Sequence, residues 1–99
     1  MIRHIVLFQL KEFNSTEEKV AKLEQIKSDL EALVGVVPTL KSMEVMFNAN
    51  PAEKFDFMLS SDFESLEDLE AYAIHPAHEA VAVTIRAVAA GRACVDYQF

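Results

Sequence analysis

The stretch MIRHIVLFQLK, residues 1–11, decides the fold class of this chain. Apolar residues occupy both sets of alternate positions, with Val6 and Phe8 on one side and Ile5 and Leu7 on the other. This alternation predicts a β-strand. An antiparallel strand with two apolar faces is unusual, because one face of such a sheet commonly meets water. We therefore expect helices to cover one face of the sheet and another apolar surface to cover the other.

A helix is predicted over residues 14–35, NSTEEKVAKLEQIKSDLEALVG. Ser15 and Glu18 have the spacing of a capping box, and Gly35 suits the left-handed position that often ends a helix. Pro38 prevents the helix from continuing, because proline lacks the amide hydrogen and clashes with the preceding turn. One apolar stripe is predicted to face the sheet: Val20, Leu23, Ile26, Leu30 and Leu33.

The rest of the chain reads as alternating strands and helices. Strands are predicted at residues 40–48, 54–63 and 92–99, and helices at residues 65–73 and 76–91. One face of the third strand is predicted to carry Phe55, Phe57, Leu59 and Phe63. Ser65 and Asp68 repeat the capping spacing at the start of the next helix, one side of which is predicted to carry Leu66, Leu69 and Tyr72. The order is βαββαβ, which predicts a single ferredoxin-like α+β domain over residues 1–99 with a four-stranded antiparallel sheet.

The sheet face away from the helices is predicted to be bare and apolar. Its residues include Ile5, Leu7, Met46 and Met58. The hydrophobic fraction of 52% is also high for a chain of 99 residues. An apolar face of this size is seldom left in water, so we expect a homodimer that pairs these open faces and forms a dimeric α/β barrel.

Composition excludes several classes of partner. The net charge of −7 argues against nucleic-acid binding, since phosphate contacts need clustered basic residues. No apolar run approaches the roughly 18 residues of a membrane span. Cys94 is the only cysteine, so it forms no internal disulfide, and no metal-ligand spacing surrounds it. We expect a cytoplasmic location, with no metal and no cofactor.

The segment YAIHPAH, residues 72–78, supplies the candidate site. His78 shares an inward stripe with Ile85, Tyr72 follows Leu69 on the inward side of the preceding helix, and His4 lies on the helix-facing side of the first strand. We expect these three polar rings to share one pocket. Its predicted apolar walls are Val6, Phe8, Leu30, Leu59 and Ile85.

Simpler interpretations of these residues stay open. A histidine on an apolar face is often a hydrogen-bonded core residue, and Tyr72 can be a packed ring with a satisfied hydroxyl. His75 lies beside Pro76, the first position of a helix, and is expected to cap that helix. A metal site made of His75, His78 and Glu79 would lack a third distant ligand.

An acid/base role for His78 has a physical basis. Its place in the first helical turn and its burial both disfavour imidazolium, so we predict a pKa below the ordinary value of about 6.5. A neutral imidazole can accept a proton from an acidic carbon or hydroxyl. Tyr72 is expected to donate a hydrogen bond to a developing oxyanion.

The chain resembles the stress-responsive A/B barrel, or Dabb, family. The resemblance is carried by MIRHIVLFQLK, by YAIHPAH and by CVDYQF at residues 94–99. It implies a dimeric α+β barrel, and most members are of unknown function or induced by stress. One plant branch resembles polyketide cyclases, in which the histidine matching His78 is the base, the tyrosine matching Tyr72 positions the substrate and a histidine matching His4 lies in the same pocket. The predicted first helix lacks the aromatic residues that line the acyl-chain tunnel of that branch.

Two main hypotheses about function follow. The first is a stress-related module that binds a small hydrophobic or aromatic ligand. The alternative is a cofactor-free, polyketide-cyclase-like enzyme with His78 as base and Tyr72 as oxyanion partner. A cofactor-free monooxygenase is a third alternative, and only analogy with other dimeric α+β barrels supports it.

Overall fold

The computed structural model describes every residue from Met1 to Phe99. It confirms the ferredoxin-like βαββαβ fold, with the second helical region divided into two helices. The strands are β1 (Ile2–Leu10), β2 (Ser42–Phe47), β3 (Phe57–Phe63) and β4 (Ala89–Gln98). The helices are α1 (Thr16–Glu31), α2 (Leu66–Ala73) and α3 (Pro76–Val88). None of these helices has the length and apolar character needed to cross a bilayer.

The four strands form one antiparallel sheet in the order β2-β3-β1-β4. β1 is therefore an interior strand, which agrees with the apolar residues on both of its faces. Val6 lies between Leu59 of β3 and Cys94 of β4 in the register of the sheet. This pairing brings the two ends of the chain side by side, so residues about 90 positions apart become neighbours.

The core fills the space between one sheet face and the helices. It contains the predicted strand residues Val6, Phe57, Leu59 and Phe63, each of them buried. The helices and connecting segments add Ile26, Leu30, Leu33, Val37, Leu40, Tyr72 and Ile85. Burial of such side chains contributes about 1.5–3 kcal/mol each relative to exposure, so this layer is the main source of stability.

Three side chains cap the helices as the sequence predicts. The hydroxyl Oγ of Ser15 accepts a hydrogen bond from the backbone N–H of Glu18 at 3.1 Å, and Ser65 accepts from Asp68 at the same distance. Nδ1 of His75 accepts from the backbone N–H of Ala77 at 3.1 Å. The prediction that His75 caps the helix that starts at Pro76 is therefore confirmed.

Two residues assigned to inward stripes lie outside them. Val20 of α1 is 47% exposed and Leu66 of α2 is 60% exposed. Each lies six residues before a buried residue of its helix, Ile26 and Tyr72 respectively. Six residues rotate an α-helix by about 120° from a whole number of turns, which moves both side chains off the buried face.

Several element boundaries also differ from the prediction, among them the end of α1, which comes at Glu31, and the boundaries of β3 and α3. β3 begins at Phe57, so Phe55 precedes it, and its side chain lies beside Leu7 and Met58 on the other face of the sheet. Helix α3 ends at Val88, whereas the sequence pattern extended it to Gly91. Ala89 already belongs to β4, and there the register of β1 and β4 shifts.

The edge strand β2 is held by two charged side chains of α1. The ammonium of Lys27 donates to the backbone carbonyl of Val45 at 2.6 Å, and the Glu31 carboxylate accepts the Val45 N–H at 3.0 Å. Lys27 and Glu31 also contact each other at 2.8 Å. Helix α1 is thus attached to the edge of the sheet through the backbone N–H and the carbonyl of Val45.

The second face of the sheet carries no helix. Ile5, Leu7 and Met58 are half-buried there, and Met46 is 53% exposed. Val95 of β4 extends the same face, and it is also exposed. The bare apolar face predicted from the sequence is present in this chain, and we call it the open face.

Candidate functional site

The eight residues predicted to form the pocket line one cavity of about 280 Å³. It lies between the helix-covered face of the sheet and helices α1, α2 and α3, and we call it the site cavity. Three further residues complete the lining. The full set is His4, Val6, Phe8, Leu30, Leu59, Tyr72, His78, Ala82, Ile85, Arg86 and Arg92.

The break between α2 and α3 positions the two polar rings of the helices. α2 ends at Ala73, Ile74 follows it, and Pro76 starts α3 with the fixed φ that suits a first helical position. The change of direction places Tyr72 and His78 on different helices with their ring centroids 4.3 Å apart. A continuous helix would hold residues six apart on different sides, so the break is what brings them together.

Tyr72 is the most deeply buried polar residue of the site cavity, with 3% of its surface exposed. Its ring also packs on Phe63, with the centroids 5.2 Å apart. Burial raises the pKa of Tyr72 well above its usual range, because the phenolate would lose its hydration. The phenol therefore keeps its proton at neutral pH and can donate a hydrogen bond.

His78 is held as a neutral imidazole. Burial lowers its pKa below the ordinary value, and this outweighs the opposing effects of the Ala73 carbonyl and of Glu79. Nδ1 lies 3.0 Å from the Ala73 carbonyl oxygen, which can only accept, so Nδ1 carries the proton of the neutral ring. Nε2 is then the nitrogen with the free lone pair and the candidate proton acceptor.

His4 belongs to a second polar cluster at the edge of the site cavity. Its Nδ1 hydrogen-bonds to Asp96 Oδ1, and Cys94 Sγ lies 3.6 Å from the same nitrogen. Burial, followed by the charge of Asp96, raises the pKa of the Cys94 thiol. Imidazole, thiol and carboxylate lie within 4.8 Å of one another, which is a set that could hold a metal ion.

Sequence periodicity does not predict this cluster, because its members meet only through the pairing of β1 with β4. The register places Asp96 opposite His4 and Cys94 opposite Val6. His75 and Glu79, weighed above as metal ligands with His78, are not part of the cluster. Nδ1 of His75 is instead used in capping α3.

Three lining residues were not predicted from the sequence. Ala82 and Arg86 follow His78 at intervals of four residues, so the helical stripe that contains His78 could have revealed them. Arg92 lies on β4 opposite Phe8, and its position depends on the strand register. Its guanidinium carbon is 6.0 Å from the centroid of the Phe8 ring.

A larger groove lies elsewhere on the molecule, and none of the eight predicted site residues lines it. It measures about 840 Å³ and runs between the start of α1 and the loop that connects β2 to β3. Charged and amide side chains dominate its lining, and Lys19 and Asp56 already pair there at 2.7 Å. The smaller site cavity is more enclosed and more apolar, which are the properties of a small-molecule site.

Solved structures share this architecture over the whole chain. A dimeric ferredoxin-like protein of unknown function from Bacteroides fragilis is 38% identical, with a TM-score of 0.92 over 99% of this chain and 95% of its own. A dimeric ferredoxin-like protein of unknown function from Thermobifida fusca is 27% identical, with a TM-score of 0.82 over 99% and 90%. A hydroxynitrile lyase from Passiflora edulis is 22% identical, with a TM-score of 0.80 over 97% and 90%.

No curated protein matches the chain significantly. The comparison with protein families, in contrast, covers nearly every residue described above. The sequence profile of the Dabb family, the stress responsive A/B barrel domain, matches residues 2–99. This range includes β1 with His4, the segment that holds Tyr72 and His78, and the closing strand β4. The chain therefore belongs to the stress responsive A/B barrel domain family.

Proposed function

We propose that this protein is a binding domain for a small, largely apolar molecule and that the site cavity receives it. The proposal rests on one observation above all. Two neutral hydrogen-bonding rings, Tyr72 and His78, meet at 4.3 Å within a cavity otherwise lined mainly by apolar side chains. Small-molecule sites have this composition, in which apolar walls supply affinity and a few polar groups fix orientation.

The size of the site cavity limits the ligand. A volume of about 280 Å³ lies near the lower end of ligand pockets, which begin at about 300 Å³. The walls formed by Leu30, Leu59 and Ile85 favour an alkyl chain or a single aromatic ring. The phenol of Tyr72 and the imidazole of His78 favour a carbonyl or hydroxyl group on that ligand.

We further propose that the protein works as a homodimer joined through the open face. Five apolar residues of this face are uncovered or half-buried in the single chain: Ile5, Leu7, Met46, Met58 and Val95. A second copy would bury them, and the relative that is 38% identical is described as dimeric. The helices lie on the opposite face, so a dimer of this kind leaves the site cavity of each subunit intact.

The second candidate function is acid/base catalysis without a cofactor. The neutral state of His78, with Nε2 as its free lone pair, favours it, as does a Tyr72 phenol that stays protonated. In this role Nε2 accepts a proton from the substrate and the phenol donates to the oxyanion that forms. The hydroxynitrile lyase of similar structure shares only the fold at 22% identity. The monooxygenase alternative has only fold similarity behind it, at 11% identity.

Cavity filling tests the binding proposal. Aromatic and alkyl ketones of about ten non-hydrogen atoms are titrated into the protein and followed by ligand-observed NMR. Ala82→Trp fills the site cavity, whereas Ala87→Trp adds the same ring to the exposed side of α3. We expect binding to the wild type and to Ala87→Trp and a loss of binding in a folded Ala82→Trp protein. Equal binding to both variants would contradict the proposal.

His78→Ala separates binding from catalysis. If His78 is a general base, the variant should lose about 10²–10⁴-fold in rate while it keeps ligand affinity and fold. If His78 only packs against the ligand, affinity falls and no turnover is lost. Exchange of deuterium into the α-carbon of a bound ketone measures the proton transfer, and no exchange above the solvent rate in the wild type would eliminate the enzyme alternative.

A further inference from the structure

Two arginines line the site cavity, and of these Arg86 lies beside Glu79 whereas Arg92 has no carboxylate partner. We infer that the ligand carries a carboxylate and that Arg92 receives this group at the solvent-facing edge of the cavity. The inference rests on the proposed function, because it names the chemical class of the molecule that the site cavity takes.

Arg92 is an exposed residue of the edge strand β4 that also lines the site cavity. It lies opposite Phe8 in the register of β4 and β1, with its guanidinium carbon 6.0 Å from the Phe8 ring centroid. Arg92 also lines the adjoining depression beside Leu69, together with Glu70, Tyr72 and His78.

Arg92 is the one arginine of the chain without a carboxylate partner. Arg3 makes two hydrogen bonds to Asp62, at 2.7 and 2.9 Å, and Arg86 lies 3.6 Å from Glu79. No carboxylate oxygen lies within 4.0 Å of Arg92. Asp96, the acidic residue of the same strand, is engaged by His4 instead.

A guanidinium that has no carboxylate partner and lines an apolar cavity suits a carboxylate for two reasons. Its planar donors match both carboxylate oxygens, and partial removal of water strengthens the attraction. None of the side chains that line the site cavity is a carboxylate, His78 is neutral and the Tyr72 phenol keeps its proton. The nearby Asp96 carboxylate is engaged by His4, and Glu70 lines only the adjoining depression. The chain carries a net charge of −7, so attraction at this edge is a local property and does not come from the whole molecule.

The two ends of the site cavity therefore favour an amphipathic ligand. The apolar part of the ligand would lie among Leu30, Leu59 and Ile85, and the carboxylate would lie at Arg92. Phenylalkanoates have this form and a suitable size. Their amides provide a matched neutral group of the same shape, so the difference in affinity between acid and amide isolates the contribution of charge.

The experiment measures the affinities of phenylacetate, phenylpropanoate, phenylbutyrate and phenylpentanoate, and of the four matching amides, by calorimetry at low salt. We expect at least one acid to bind about tenfold tighter than its amide, and this preference to shrink as salt is added. Arg92→Gln should reduce the preference to about onefold without weakening the amide. Lys54→Gln is the control, because Lys54 also lies over an aromatic ring, Phe55, but outside the site cavity.

Each remaining outcome has a distinct meaning. Equal binding of acid and amide to the wild type overturns the carboxylate inference and leaves the proposed binding function standing. A preference for the acid that survives in Arg92→Gln overturns the role of Arg92. Failure of every acid and amide to bind, together with failure of the ketones, overturns the proposed function and this inference with it.

Discussion

The rings of Tyr72 and His78 lie 4.3 Å apart, centroid to centroid, although the two residues belong to different helices. The chain achieves this contact by ending α2 at Ala73 and starting α3 at Pro76. Between the helices, the Ala73 carbonyl accepts a hydrogen bond from the imidazole of His78. The break between α2 and α3 thus also determines which nitrogen of His78 carries the proton.

The pKa of His78 is the first testable consequence. Burial lowers this pKa because the imidazolium would lose its hydration. The free energy of unfolding is therefore higher above the ordinary pKa of 6.5, where the ring is neutral, and it falls as pH drops through the lower folded pKa. We expect NMR titration of the ring protons to give a midpoint below 6.5. The His78→Gln variant assigns the resonance, and a midpoint above 7 would contradict a neutral imidazole.

The open face gives a second prediction. Leu7→Asp should convert the protein from dimer to monomer, because a dimer would have to bury an unpaired carboxylate at that face. Sedimentation velocity at micromolar concentration measures the change. Val83→Asp places the same charge on the exposed side of α3 and should leave the dimer intact. A wild-type protein that sediments as a monomer would remove the basis for this interface.

The contact of Glu31 with Lys27 and Val45 gives a third prediction. The Lys27 ammonium, and to a smaller extent the Val45 N–H, lower the pKa of Glu31 below its ordinary value of 4.5. The carboxylate therefore stabilises the fold above that pH, and the contribution disappears as pH falls through the folded pKa. Glu31→Gln should lower the free energy of unfolding by about 1 kcal/mol at pH 7, a modest amount because the pair is partly screened by water.

Chemical denaturation at pH 7 and at pH 3 measures this difference. The deficit of Glu31→Gln should be present at pH 7 and absent at pH 3. Glu24→Gln, an exposed change on the same helix, is the control and should have little effect at either pH. A deficit of the same size at both values would show that the charge of Glu31 is not the cause.

Two serines four residues apart in sequence should respond in opposite ways to alanine. Ser61 is fully buried, and its hydroxyl has no hydrogen-bond partner. Ser61→Ala removes this unsatisfied group and should leave stability unchanged or raise it by about 1 kcal/mol. Ser65 caps α2, so Ser65→Ala should cost about 1 kcal/mol. Thermal unfolding measures both, and a large loss in Ser61→Ala would reveal a hydrogen bond to that hydroxyl.

The elements that local chemistry determines were predicted well from the sequence. The apolar residues on both sides of β1 indicated a sheet with helices on one face and a bare apolar surface on the other, and Ser15, Ser65 and His75 indicated the starts of the helices. The predicted pocket residues follow from the same logic, because helical and strand periodicity determine which side chains share a face.

The missed features depend on geometry that periodicity does not contain. The approach of Asp96 and Cys94 to His4 depends on the register of β1 and β4, which are separated by most of the chain. Arg92 lines the site cavity because the same register places it opposite Phe8. Phe55 precedes β3 beside Asp56, whose carboxylate accepts the Leu10 N–H at 2.7 Å, a long-range contact with no local signature.

The attachment of Lys27 and Glu31 to Val45 also limits how copies of this chain can assemble. A sheet has two edges, here β2 and β4, and an endless ribbon of sheets would need both of them in every copy. At the middle of β2, the N–H and carbonyl that an incoming strand would need are already taken by α1. Pairing through β4 alone joins two copies and then stops. We therefore expect Lys27 and Glu31 to oppose edge-to-edge growth through β2.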